Sequence, residues 1–261
     1  MRNLLINRIL NKAEIRGPIV LMYHSVVPGR GTPDWLWSVS MNRFCEQLDL
    51  LCDTGWTTVR VTDLIDRSDR PHRSVAITFD DGYADNFPAF EALMKRKMCA
   101  TWFVVSRDIG KLSGWKDPGS PVKPILSADQ LRTLAAAGME IGSHGRSHCR
   151  LTQVDNETLE DELSGSKSEL ADILGQPVES FAYPYGFHKD HVVEAVRKAD
   201  YRAACTTRPG SVSHGGDSFR LPRIGILAPD GASAFACKLA FADNNVSWRR
   251  LARFYYSGIW G

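Results

Sequence analysis

The sequence has no long apolar run, no paired-cysteine motif, no repeat of fixed period and no excess of either charge. Each absence narrows what the chain can be. No uninterrupted apolar stretch reaches the roughly 18–20 residues that a bilayer span requires, so no transmembrane helix is expected. The six cysteines (Cys45, Cys52, Cys99, Cys149, Cys205 and Cys237) form no C-x-x-C pair and no dense framework. Cys45 and Cys52 fall on one expected helix, too far apart along its axis to bridge. All six read as free thiols, the pattern of a reducing compartment. Lys and Arg number 32 against 30 Asp and Glu, a net charge of +2. That balance excludes a strongly basic nucleic-acid binder and an acidic disordered tail. The first residues, MRNLLINRILNKAEIRG, start basic, but Asn7 and Arg8 interrupt the apolar stretch. A secretory signal needs about 7–15 unbroken apolar residues, so none is expected here. The expected location is therefore cytoplasmic, or at a membrane surface.

What the sequence does contain is material for a sizeable core. Of 261 residues, 43% are hydrophobic, 10% aromatic and 24% charged, the composition of an ordered globular protein. A chain of this size buries about three quarters of its unfolded surface without needing a disulfide or metal staple. Apolar runs predict strands over 19–23, 57–60, 75–79, 100–105, 139–143, 180–183, 201–205 and about 221–227. Helical periodicity appears over 41–51, 84–97, 128–137 and 158–174, with Ser127 and Gln130 at capping-box spacing. Two loop-rich stretches, 28–38 and 111–125, separate these elements. Helices alternating with continuously apolar strands indicate a parallel sheet. The expectation is one α/β domain over 1–261, with a motif-bearing core of about 18–228 and a helical extension of about 229–261. An incomplete or regular barrel is its simplest architecture.

In parallel barrels the reactive side chains gather where strands end. Four expected strands run directly into reactive groups: His24, Asp80-Asp81-Gly82, His144-Gly-Arg-Ser-His148 and Pro184-Tyr185-Gly186. Two adjacent carboxylates leaving a strand point in different directions, so one can hold a metal while the other faces a substrate. That geometry disfavours a glycosidase, whose two carboxylates flank one bond at about 5–9.5 Å. The plainer reading of Asp-Asp-Gly is a turn. His144 and His148 have the spacing that places two imidazoles on one side of a helical turn; the plainer reading is a pair of solvated loop histidines. With Asp81 they supply two nitrogen ligands and one oxygen ligand, the composition of a catalytic metal site. Cys149 beside them is expected to be a small buried hydrophobe and not a competing ligand. His24 is either a satisfied structural histidine or, given its place on this face, a general acid.

These residues resemble a known family. Thr78-Phe79-Asp80-Asp81-Gly82 and the His144…His148 pair are similar to the first two motifs of the NodB-homology polysaccharide deacetylases, carbohydrate esterase family four. Leu21-Met22-Tyr23-His24-Ser25-Val26, Phe181-Ala182-Tyr183-Pro184-Tyr185-Gly186 and Leu221-Pro222-Arg223-Ile224 resemble its exopolysaccharide branch, which includes the poly-N-acetylglucosamine deacetylases. The resemblance spans about residues 18–228. It implies a distorted (β/α)7 barrel, one divalent ion such as Zn²⁺ and removal of acetyl groups from N-acetylated sugars. It further implies Asp80 as general base, Asp81, His144 and His148 as metal triad, His24 as general acid and the Tyr185 N–H as oxyanion donor.

The chain also departs from the family pattern. The third motif usually begins with Arg, but Ala182 stands there, and the usual C-terminal Leu-x-x-His motif is absent, its His supplied by His24. Arg223 is expected to take over support of the Asp80 carboxylate; the rival is a surface Arg, or one paired to Asp217 or Asp230. Trp35, Trp37 and Trp115 are candidates to line a sugar-binding cleft, against ordinary core or lid packing. The alternatives are a metal-independent amide or ureide hydrolase of this fold, a non-catalytic carbohydrate-binding relative and a metallophosphatase. The last would need a two-metal carboxylate set that the sequence does not show. The segment 246–261, rich in Arg and aromatic residues, is expected to pack as a helix on the barrel, with weak membrane-surface association as the second reading.

Overall fold

The computed structural model describes residues 10, 17–66, 71, 73–115 and 119–245. Its strands are β1 (Ile19–Tyr23), β2 (Ser25–Val27), β3 (Ser38–Ser40), β4 (Thr57–Thr58), β5 (Ser74–Phe79), β6 (Thr101–Val104), β7 (Glu140–Ser143), β8 (Ser180–Ala182), β9 (Ala203–Cys205) and β10 (Ile224–Gly225). Its helices are α1 (Met41–Asp53), α2 (Asp63–Asp66), α3 (Phe87–Met94), α4 (Ala128–Ala136), α5 (Asn156–Glu160), α6 (Ser166–Leu174), α7 (Asp190–Lys198) and α8 (Ala232–Phe241). Seven strands follow one another in the order β10-β1-β5-β6-β7-β8-β9, all parallel, with β4 paired to β5 beside this path. A parallel bridge between Cys205 and Leu221, just before β10, brings the two ends of the order together. The result is a curled parallel sheet with helices around it, the expected distorted barrel.

Strand alternation divides the core in two. Ile19, Leu21 and Tyr23 of β1 and Val75, Ile77 and Phe79 of β5 pack outward into the large cluster shared with the helices. Val20 and Ala76 point inward and meet Phe103, Ala182, Ala203 and Leu221 inside the barrel. The interior is tight at Gly142, where a Cβ would lie 2.6 Å from Phe103 and from the Ser180 hydroxyl.

Most elements lie where the sequence places them, and the differences have local causes. The expected helix over 84–97 splits into a 3₁₀ turn, Ala84–Asn86, and α3, whose first turn contains proline. The expected helix over 158–174 starts earlier, because Asp155 caps it by accepting from the Thr158 N–H at 2.8 Å. It is then interrupted by a π-helical turn at Asp161–Gly165. The capping box of α4 forms as expected: Ser127 and Gln130 satisfy each other's backbone N–H groups. The short β2–β3 pair and α7 have no counterpart in the sequence reading. Within the expected extension, α8 is described, while the Arg- and aromatic-rich stretch 246–261 lies outside the described residues. Among the described residues, no helix is long and apolar enough to cross a membrane.

Candidate active site

Parity builds the site. In β1 the inward series Val20, Met22 continues to His24; in β5 the series Ala76, Thr78 continues to Asp80; after β7, Gly142 continues to His144. The β1–β5 register pairs Met22 with Thr78, so His24 and Asp80 leave the barrel at the same level. Both then open, with Asp81, His144 and His148, onto a cleft of about 370 Å³.

Asp81, His144 and His148 each offer one ligand atom, all within 4.8 Å of one another. The His144 Nε2 lies 3.4 Å and the His148 Nε2 3.3 Å from the same Asp81 oxygen, Oδ1. That oxygen is buried and makes no hydrogen bond among the described residues. An orphaned carboxylate oxygen between two imidazole nitrogens suits a divalent cation, and two nitrogen ligands plus one oxygen ligand suit Zn²⁺. The His144 Nδ1–H donates to the Ala182 carbonyl at 2.7 Å, which turns Nε2 toward Asp81. The helical turn expected across His144–His148 does not form. Gly145 (φ 78°) and His148 (φ 58°) have left-handed backbone, so a loop, and not helical periodicity, brings the imidazoles together. Cys149 is not a member of the trio, and burial pushes its thiol up to about 11.

Asp80 lies beside this trio, its Oδ2 4.0 Å from the His144 Nε2, and is held by Arg223. The Arg223 Nη1 donates to Asp80 Oδ1 at 2.6 Å and Nη2 to Oδ2 at 2.8 Å, a two-pronged pair with both side chains buried. Arg223 also donates from Nε to the Thr206 carbonyl (2.8 Å) and from Nη1 to Thr78 Oγ1 (3.2 Å). Burial alone would raise the Asp80 carboxyl, but Arg223, His144 and His24 outweigh it and hold the group below the usual carboxylate range. The two rival partners are engaged elsewhere, Asp217 with Arg220 and Asp230 with Lys238.

Aromatic rings form the cleft walls. The His24 ring lies 4.6 Å from Trp37, and its Nδ1 is buried with no hydrogen-bond partner among the described residues. Burial lowers the His24 pKa, against the opposing pull of Asp81 and Asp80. His148 sits between Trp115 (4.8 Å) and Tyr185 (4.6 Å). Trp35 stands edge-on to His24 and to Tyr83, with the Lys123 ammonium 5.2 Å over its ring. Lys123 is fixed in turn by Asp85 and Ser25, both at 2.6 Å. Tyr185 has left-handed backbone (φ 60°), as do Asp81 (φ 71°) and His148. Such backbone is uncommon outside glycine and clusters at functional sites.

The polysaccharide deacetylase family profile matches residues 67–204, more than half the chain and both of its first two motifs. The chain belongs to the polysaccharide deacetylase family. It is 28% identical over 221 residues to the putative polysaccharide deacetylase YxkH of Bacillus subtilis, covering 83% of this chain and 74% of that one. It is 23% identical over 201 residues to the poly-β-1,6-N-acetyl-D-glucosamine N-deacetylase of Staphylococcus aureus, covering 72% of this chain and 67% of that one. Among solved structures it resembles the polysaccharide deacetylase BC0361 of Bacillus cereus, with a TM-score of 0.73 and 28% identity. That match covers 85% of this chain and 68% of the other.

Membership makes the chain a hydrolase of the carbohydrate esterase type and agrees with the barrel. The structure brings His24, Asp80, Asp81, His144, His148 and Tyr185 to one cleft and Arg223 to the Asp80 carboxylate. Trp35, Trp37 and Trp115 also line that cleft. Sequence reasoning gave no role to Thr78 of the first motif and did not single out Thr206, which with Thr78 completes the Arg223 bonding, or Glu162, buried beneath the loop between the two histidines. Glu162 left a trace: it lies on the face of the 158–174 pattern that carries Leu159 and Leu163, where a carboxylate is out of place.

Proposed function

We propose that this deacetylase hydrolyses the acetamide of an N-acetylated sugar, releasing acetate and a free amine, with one divalent ion, Zn²⁺ by the character of its donors. The observation that carries this reading is the buried Asp81 Oδ1 between two imidazole nitrogens, beside a second carboxylate that Arg223 keeps out of the trio. The S. aureus relative, named for its action on poly-β-1,6-N-acetyl-D-glucosamine, supports a sugar of the N-acetylglucosamine type.

Asp81, His144 and His148 would hold the ion, which when bound supplies a Lewis acid that lowers the pKa of a water and polarises the acetamide carbonyl. Asp80 is assigned the water's proton as the water attacks, with its carboxylate plane set by the Arg223 fork. The backbone N–H of Tyr185, on its left-handed turn, is assigned to the developing oxyanion; removal of such a donor typically costs about 10²–10³ in rate. His24 is assigned delivery of a proton to the departing amine; its lowered pKa makes it a stronger acid once protonated. Trp35, Trp37, Trp115 and Tyr185 offer ring faces to the sugar and screen the site from bulk water. The test is acetate release from N-acetylglucosamine oligomers by purified protein, before and after chelation and after return of Zn²⁺. Activity that is untouched by complete metal removal would transfer the reading to a metal-independent amide hydrolase.

A further inference from the structure

Glu162 is a buried acid that the mechanism above leaves without a task. It lies in the π-helical turn Asp161–Gly165 and is 2% exposed. Its Oε2 accepts the backbone N–H of Arg146 at 2.8 Å and of Ser147 at 3.0 Å, and its Oε1 accepts the Ser147 hydroxyl. All three donors come from the loop that joins His144 to His148. Glu162 forms no ion pair among the described residues, so these loop donors are what compensate its burial. The fit is close: a Cβ at Gly145 would lie 3.1 Å from Glu162 Oε2.

The π turn is built to hold the acid there. Such turns are rare and concentrate at functional sites because they displace backbone groups from the helical ladder. Here Ser166 Oγ donates toward the Glu162 and Leu163 carbonyls (2.6 and 3.0 Å), and the Tyr201 hydroxyl donates to Leu163 O at 3.0 Å. Ser166 Oγ also meets Ser143 Oγ at 2.8 Å, and Ser143 Oγ accepts the Gly145 N–H at 3.1 Å. One polar network therefore runs from the turn to the residues on both sides of His144. Outside it, the Arg146 guanidinium closes onto Asp161 and Glu169 at 2.7 and 2.8 Å.

We infer that Glu162 is the positioning residue of the metal site, fixing the left-handed loop that carries His148 so that its Nε2 meets Asp81. The inference rests on the reading of Asp81, His144 and His148 as a metal triad. Removal of partners that orient metal ligands typically weakens metal binding by about 10–100-fold. The experiment is Zn²⁺ titration of metal-stripped full-length protein against a chromophoric chelator. It compares wild type, Glu162→Met, Glu162→Asp, Glu162→Gln and Leu170→Ala, with Tm measured for each. Glu162→Met lacks all three acceptors, and Glu162→Asp withdraws them from the loop; both should weaken Zn²⁺ binding, by about 10–100-fold for Met. Glu162→Gln should stay within about three-fold, because its amide oxygen can take both N–H groups while its NH₂ meets the Ser147 hydroxyl oxygen. Leu170→Ala, a core truncation in α6, should lower Tm and leave Zn²⁺ affinity unchanged. If Glu162→Met does not fold, Glu162→Asp carries the test. Wild-type affinity in the folded Glu162→Met or Glu162→Asp variant, or equal weakening in Leu170→Ala, overturns the inference. A wild-type protein that binds no Zn²⁺ overturns the triad itself, a result distinct from either.

Discussion

Replacing Arg223 by Lys separates charge from geometry at the Asp80 carboxylate. Arg223 is fully buried and makes four hydrogen bonds, two of them to Asp80. A lysine ammonium keeps the positive charge but is a point donor, so it can meet one Asp80 oxygen and not both. The loss is then at least one hydrogen bond to a charged group, about 1.5–3 kcal/mol. If that energy is the cost of holding the carboxylate in its reactive orientation, each 1.36 kcal/mol is a factor of ten. The expected fall in kcat is therefore about 10- to 150-fold. KM for N-acetylglucosamine oligomers should change little, since Arg223 faces Asp80 and not the open cleft. Metal content should not change, because Arg223 contacts none of Asp81, His144 or His148. The assay is steady-state acetate release with metal content measured on the same samples. Turnover within three-fold of wild type, or a fall in step with lost metal, would refute the assignment of Arg223 to the orientation of Asp80.

Asp80→Asn should retain metal and fold while turnover drops by about 10²–10⁴, the range for loss of a general base; activity within a few-fold would make Asp80 structural. Wild type is expected to hold about one divalent ion per chain, and His144→Ala and Asp81→Ala should each lose it, read by elemental analysis; full occupancy in both would remove the triad. Glu140, at the opposite end of β7 from His144, has a carboxyl raised by burial, against opposing hydrogen bonds from the Thr101 hydroxyl and the Thr62 N–H. A raised folded pKa gives stability that is fully present below the ordinary glutamate range and lost as pH rises through the folded value. Glu140→Gln should flatten that slope and raise Tm at pH 8 by about 2–4 °C, if the penalty is about 1 kcal/mol. Thermal melts between pH 4 and 8 that show the same slope in both proteins would count against it.

Much of the barrel was legible because its strands are buried on both faces. Runs such as Ile19-Val20-Leu21-Met22-Tyr23 cannot be anything exposed, and helices with a clear apolar stripe separate them. Strand ends also located the site, since the residue after a buried run inherits the inward parity of the strand, as His24 and Asp80 do. Loops were less readable. The left-handed backbone at Asp81, His148 and Tyr185 depends on what surrounds each turn, and none of the three is a glycine that would announce it. The His144–His148 spacing suggested a helical turn for the same reason: a separation of four says nothing about how the intervening residues travel. The π turn was invisible because the apolar spacing of Leu159, Leu163 and Leu170 is that of an unbroken helix. β2 and β3 are three residues each inside a stretch rich in turn formers, too short for alternation to register.

The vacancy at Ala182 is informative about what the barrel interior allows. The family resemblance places an arginine at that position in β8; here Ala182 gives only its carbonyl, to His144 Nδ1. The guanidinium arrives instead just before β10, which pairs with β1, itself the neighbour of β5 and Asp80. Every inward position near the strand ends faces one small shared space, so strands far apart in the sheet order reach the same carboxylate. What restricts the exchange is the cost of burying the charge. An isolated guanidinium in such a place loses several kcal/mol of hydration, which only good geometry and complete hydrogen bonding offset. The pre-β10 position supplies both, through the Thr206 carbonyl, Thr78 Oγ1 and the two Asp80 oxygens, with Phe103 5.6 Å beneath the guanidinium plane's central carbon. An arginine returned to position 182 beside Arg223 would meet a carboxylate already saturated, and would bury a second cation with no partner. Ala182→Arg alone should therefore destabilise the protein, while Ala182→Arg with Arg223→Met restores one cation to one carboxylate. Recovery of Tm in the double variant over Ala182→Arg, by more than the two single effects predict, is the expected coupling. Strict additivity would show that the two positions do not share Asp80.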